Sequence, residues 1–107
     1  MAYDEELALR IRALLGDRPG LTEQKMFGGL AFLIGGNMAI AASGQGGILV
    51  RVDPVESDEL VASTPAEMME MRGRRMPGWL CVDTPDDTAL SEWVERGTAY
   101  AASLPPK

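Results

Sequence analysis

The feature that most limits the fold is a short apolar run closed on both sides by glycine pairs. It reads Lys25-Met26-Phe27-Gly28-Gly29-Leu30-Ala31-Phe32-Leu33-Ile34-Gly35-Gly36-Asn37-Met38. The apolar residues from Leu30 to Ile34 are too few for a stable helix and suit a strand buried on both faces. The run therefore predicts a central strand of a small sheet. Gly28-Gly29 lets the chain enter it tightly. That pair has neither the Gly-Lys-Ser/Thr ending nor the following helix of a phosphate-binding loop. Gly35-Gly36-Asn37 turns the chain back.

From that strand the neighbours follow. Met38 to Ala42 alternates Met38, Ile40 and Ala42 with two small alanines, and Ile48 to Val52 sets Ile48, Val50 and Val52 against Leu49 and Arg51. Strands joined by short glycine loops are antiparallel neighbours, because a parallel connection needs a long crossover. Leu21 to Met26 is a polar candidate for a strand before them. Ahead of it, Asp4 caps a helix to about Leu15 with an apolar stripe of Leu7, Ile11, Leu14 and Leu15. Asp53-Pro54-Val55-Glu56 is a helix start, with Asp at the cap and Pro in the first turn. Gly73 and Pro77 argue for two strands after it, near Met69 to Arg72 and Trp79 to Val82. Thr84-Pro85-Asp86-Asp87 opens the last helix, with Leu90, Trp93, Val94, Gly97 and Ala101 as its stripe. Gly97 inside that stripe costs about 1 kcal/mol against alanine unless something packs closely on it.

The outline predicts an α+β fold. It is a two-layer sandwich with an antiparallel sheet of about five strands and the N- and C-terminal helices on one face. The 107 residues suit a single domain, ordered over about 3–103. The opposite face, with Leu49, Trp79, Cys81 and several methionines, is left for a partner, and a homodimer is expected.

Composition removes several functions. There is no histidine, the commonest general base and metal ligand. The single cysteine, Cys81, has no internal disulfide partner and reads as core in an apolar strand. No apolar run approaches the roughly 20 residues that cross a bilayer, and the acidic start is unlike a signal peptide. A reducing cytoplasm is the expected compartment. The formal net charge of -6 opposes nucleic-acid binding outside a local basic patch. Asp83, Asp86 and Asp87 read as helix-start acids, so neither a metal nor a cofactor is expected.

The motif Met26-Phe27-Gly28-Gly29-x-Ala31-Phe32-x-x-x-Gly36-x-Met38 is followed by Leu49-Val50-Arg51-Val52 and then Arg72-Gly73-Arg74-x-Met76-x-Gly78-Trp79. In this order the residues resemble the N-terminal domain of the TfoX/Sxy competence regulators, over roughly residues 3–103. The resemblance implies a secretion-chaperone-like arrangement of helix, sheet and helix. It also implies a role in bacterial gene regulation through natural competence, here as a stand-alone copy of a domain that those regulators join to a second, helical one. Met26, Phe27, Gly28, Gly29, Phe32, Gly36 and Met38 are the structural motif residues.

Candidate binding residues are few. Arg72, Arg74 and Arg75 form the basic cluster, with Trp79 nearby; such a loop can grip an anion or stack on a base, or simply be solvated. Arg51 points from an inner strand and either reaches the sheet's edge or pairs with an acid such as Glu70, the ion pair being the leading expectation. Met26, Met38, Met68, Met69, Met71 and Met76 read first as core and second as an adaptable surface. No catalytic residue is assigned. The leading expectation is a non-enzymatic regulatory or protein-interaction module with a possible regulatory protein partner. The alternatives are nucleic-acid binding through Arg72–Arg75 and a small-molecule site near Trp79, Arg51 and Cys81.

Overall fold

The computed structural model describes residues 4–26, 28–44, 46–83 and 86–106. Helix α1 (Glu5–Leu15) leads into strands β1 (Leu21–Met26), β2 (Gly29–Ile34), β3 (Asn37–Ala42) and β4 (Ile48–Arg51). A short 3-10 turn (Pro54–Glu56) and helix α2 (Ser57–Ser63) follow, then β5 (Glu67–Met71), β6 (Arg74–Val82) and helix α3 (Asp87–Ser103). The strands form one antiparallel sheet in the order β1-β2-β3-β4-β6-β5. This is the expected α+β arrangement with six strands in place of about five. Leu30 to Leu33 are buried and Ile34 is half-buried, yet β2 is second from one edge, and β3 and β4 hold the centre.

The glycine pairs act as the sequence implies. Gly35 and Gly36 both take positive φ, at 60° and 85°, and close the β2–β3 hairpin where Ile34 faces Asn37. Gly29 is demanded by crowding: a Cβ there would lie 2.1 Å from the Ala42 carbonyl oxygen. Phe27 lies outside the described residues.

Helices α1 and α3 each start at a capping carboxylate. Asp4 accepts from the Leu7 N–H at 3.1 Å, and Asp86 accepts from the Ala89 N–H at 2.8 Å. The buried face of α1 is Leu7, Ala8, Ile11 and Leu15, while Leu14 is 39% exposed and falls off the expected stripe. Gly97 lets α3 touch the sheet, because a Cβ would meet the Ala39 carbonyl oxygen at 2.4 Å. Arg18 fastens the loop after α1 to α3: it donates to Leu15 O and Thr98 Oγ1 and pairs with Glu95.

Strand β6 begins at Arg74, five residues earlier than expected, despite Pro77 within it. Between the pairs Met68–Leu80 and Glu70–Arg75, β5 advances two residues and β6 advances five. Pro77-Gly78 sits in that bulge, where a missing N–H costs no ladder bond. The freed Gly78 groups are used elsewhere. Its N–H donates to Ser57 Oγ at 2.6 Å, and its carbonyl accepts from the Val52 N–H at 2.8 Å.

Burial divides the apolar side chains by sheet face. The larger cluster joins strand residues such as Phe32, Ile40, Val50 and Leu80 to Ile11, Leu60, Leu90, Trp93 and Val94 from the three helices. The smaller cluster is Ala31, Leu33, Met38, Ala41 and Leu49, with Met69 and Trp79 packed beside it. Every residue of the smaller cluster comes from a strand. No helix residue belongs to that cluster among the described residues, although Val61 of α2 and Tyr100 of α3 reach the margins of this face.

Candidate functional site

The helix-free face is where chemistry-bearing residues gather. Cross-strand register places Leu49 beside Cys81 and Arg51 beside Trp79, with Glu67 on the other side of Cys81. An open concavity of about 1180 Å³ lies here. Ala41 and Leu49, at most 5% exposed, form its floor. Half-buried Met69, exposed Cys81 and Val61 of α2 also line it, and Arg72 and Arg75 stand at its wall with Glu67 and Glu70.

Cys81 is therefore not core. It alternates with buried Leu80 and Val82, and its side chain lies on the face that no helix covers. Surrounding apolar groups push its thiol pKa up, and the Glu67 carboxylate raises it further. A raised thiol pKa is the opposite of what a nucleophilic cysteine needs.

Arg51 also differs from expectation. Among the described residues no carboxylate pairs with it. Its guanidinium carbon lies 4.9 Å from the Trp79 ring centroid and 5.7 Å from that of Tyr100. Cation–π attraction replaces the ion pair and ties α3 to β4 and β6. Arg51 and Trp79 are thus brought together, but apart from the hairpin arginines, which lie beyond the Pro77-Gly78 bulge.

The hairpin between β5 and β6 turns through Arg72 and Gly73, with φ of 55° and 78°. Two positive φ values mark a tight turn that usually holds Asn-Gly. Arg72, Arg74 and Arg75 are exposed, and no ion pair is formed by any of them among the described residues. Arg75 faces Glu70 in register without bonding to it.

The motif residues hold the frame. Phe32 is fully buried in the larger core, and Met38 lies in the helix-free cluster. Met68, Met69 and Met76 are half-buried, which leaves a soft surface beside the concavity. Of the helix-start acids, Asp86 caps α3 and Asp87 pairs with Arg10 at 2.6 Å. Val55, 88% exposed, is a feature the sequence reading passed over. Its signal is isolation, since acids and Ser57 surround it and no apolar residue continues a stripe.

A helix–sheet–helix layer with one helix-free, concave sheet face defines the class of small α+β protein. The TfoX N-terminal domain family model matches residues 13–101. The chain belongs to that family. Comparison with curated proteins and with solved structures finds no significant match.

Proposed function

We propose that the chain is a non-enzymatic regulatory module that docks another protein on its helix-free sheet face. The observation that carries this reading is the open concavity there, floored by Ala41 and Leu49 and walled by charged residues of both signs. Its groups are suited to contact. The thiol is shifted away from reactivity, and the arginines present fixed charge. Protein surfaces with an apolar centre and a polar rim are the usual form of a docking site. Membership of the TfoX N-terminal domain family supports a regulatory role of the competence-regulator kind, in a bacterial cytoplasm. No helix among the described residues is long and apolar enough to cross a membrane.

Nucleic acid is the weaker occupant. Glu67 and Glu70 share the concavity with Arg72 and Arg75, and the chain carries a formal net charge of -6.

Cys81 supplies the test, because it is exposed at the site. Protein alkylated there with a bulky maleimide is compared with untreated protein for capture from an extract of the native cell. Untreated protein should retain a partner that the blocked protein loses. Equal retention by both, or salt-sensitive capture of nucleic acid alone, would overturn the reading.

A further inference from the structure

Three arginines of the chain are half-buried, and two of them are spent on carboxylates. Arg10 holds Asp87, and Arg18 pairs with Glu95. Arg51, the third, has no carboxylate partner among the described residues, although the chain carries 16 acidic residues. Its place is unusual for a charge left without one. Strand β4 lies inside the sheet, between β3 and β6, and a half-buried guanidinium there has lost part of its water. Two aromatic rings stand in for the missing acid, with the guanidinium carbon 4.9 Å from the Trp79 centroid and 5.7 Å from that of Tyr100. Ring contact offsets the charge, but it gives the guanidinium N–H donors no oxygen to bond.

The rings leave donors unspent as well. Neither the Trp79 indole N–H nor the Tyr100 hydroxyl makes a hydrogen bond among the described residues, and both side chains are half-buried. Such groups usually find a partner when they leave water. Side chains from β4, β6 and α3 therefore bring unmet donors to one spot. Trp79 also packs against the helix-free cluster that includes Leu33, Met38 and Leu49, so these donors adjoin apolar surface.

We propose that Arg51, Trp79 and Tyr100 form a carboxylate-binding site that takes an Asp or Glu side chain of the docked protein, next to an apolar residue of that protein. This rests on the reading of the helix-free face as a protein-docking site and names the chemistry that anchors it. A carboxylate matches the planar fork of a guanidinium with two parallel hydrogen bonds. A phosphate dianion fits less well, because a chain of formal net charge -6 repels it more than it repels a single charge. Arg51 is already held against rings on an inner strand, so little side-chain freedom is lost when the acid arrives. Arginine, tryptophan and tyrosine are also the residue types that most often carry the energy of a protein interface.

The test is a titration of the full chain, followed by NMR of the Arg51 side-chain and Trp79 indole N–H resonances. The probe is N-acetylglutamate N-methylamide, whose one charge is the side-chain carboxylate, and the matched glutamine compound is the neutral control. Both resonances should move saturably with the glutamate probe, with a Kd on the order of a few millimolar, and stay still with the glutamine one. Arg51→Lys keeps the charge but not the fork, and it should weaken binding by roughly tenfold, with circular dichroism confirming the fold. The wild-type shifts locate the site independently of that variant. An equal response to both probes, no response up to about 50 mM, or tighter binding of inorganic phosphate or of a single-stranded DNA oligonucleotide would overturn the proposal. Capture from an extract of the native cell separates it from the docking reading. A Cys81-dependent partner held equally by wild type and Arg51→Lys leaves the docking face standing and removes Arg51 as its anchor. A glutamate probe that binds where no protein is captured removes the docked protein as the occupant.

Discussion

Gly97→Ala sets two effects of opposite sign against each other, and the structure decides between them. In a free helix the change stabilises by about 0.8–1 kcal/mol. Here the added Cβ would lie 2.4 Å from the Ala39 carbonyl oxygen and 3.2 Å from Val50 Cγ1. The carbonyl is backbone of a central strand and cannot rotate away. Helix α3 must therefore retreat by roughly the shortfall to normal contact, a little under 1 Å, at the point where it meets β3. That retreat loosens Trp93, Val94 and Ala101, which are at most 3% exposed. Overpacking of this kind costs about 1–3 kcal/mol, so the net change is a loss of roughly 1 kcal/mol, or about 4–8 °C in Tm. Urea unfolding followed by tryptophan fluorescence reads the loss directly, and Trp93 reports the helix seat. A variant as stable as wild type or more so would refute the close seating of α3 on Ala39.

Two further perturbations probe other parts of the account. Arg12 grips Glu23 with bonds of 2.7 and 2.8 Å and so lowers the Glu23 pKa below its ordinary 4.5. A depressed folded-state value gives stability that is whole above pH 4.5 and is lost as pH falls through the folded pKa. Arg12→Ala should therefore cost about 0.5–1 kcal/mol at neutral pH, and the gap to wild type should close in acid denaturation series below pH 4.5. Arg72→Asn should raise stability by roughly 0.5–1 kcal/mol in thermal unfolding, because asparagine accepts φ 55° with less strain; a loss would mean that Arg72 supports the hairpin itself.

Most of the frame was legible because its signals are local. The glycine pairs around Leu30–Ile34, the alternation of Met38–Ala42 and the Asp4 and Asp53 caps each state their structure within a few residues. Gly97 was legible as a close-packing site for the same reason. Arg51 was misread because its partners are remote: Trp79 arrives through strand pairing, and Tyr100 from the far helix. Charge alone suggested an acid, whereas the fold supplied rings. Cys81 reads as core from its apolar strand, yet the same alternation sets it with Leu49 and Trp79 on the face left for a partner, and that is where it lies exposed. The start of β6 was missed because Pro77 signals a break, and only the bulged pairing with β5 accommodates it. Val55 went unremarked because exposure of a lone valine is a property of the assembled surface.

The docking face itself is tested most directly by a photo-crosslinking side chain placed at Met69, beside the concavity, and at Leu9, 59% exposed on α1, as the control. Irradiation in the native cell should join position 69 to protein, either another copy or a partner, while position 9 stays unjoined. Adducts from position 9 with none from 69, or adducts of 69 with nucleic acid only, would contradict the assignment of this sheet face to protein recognition.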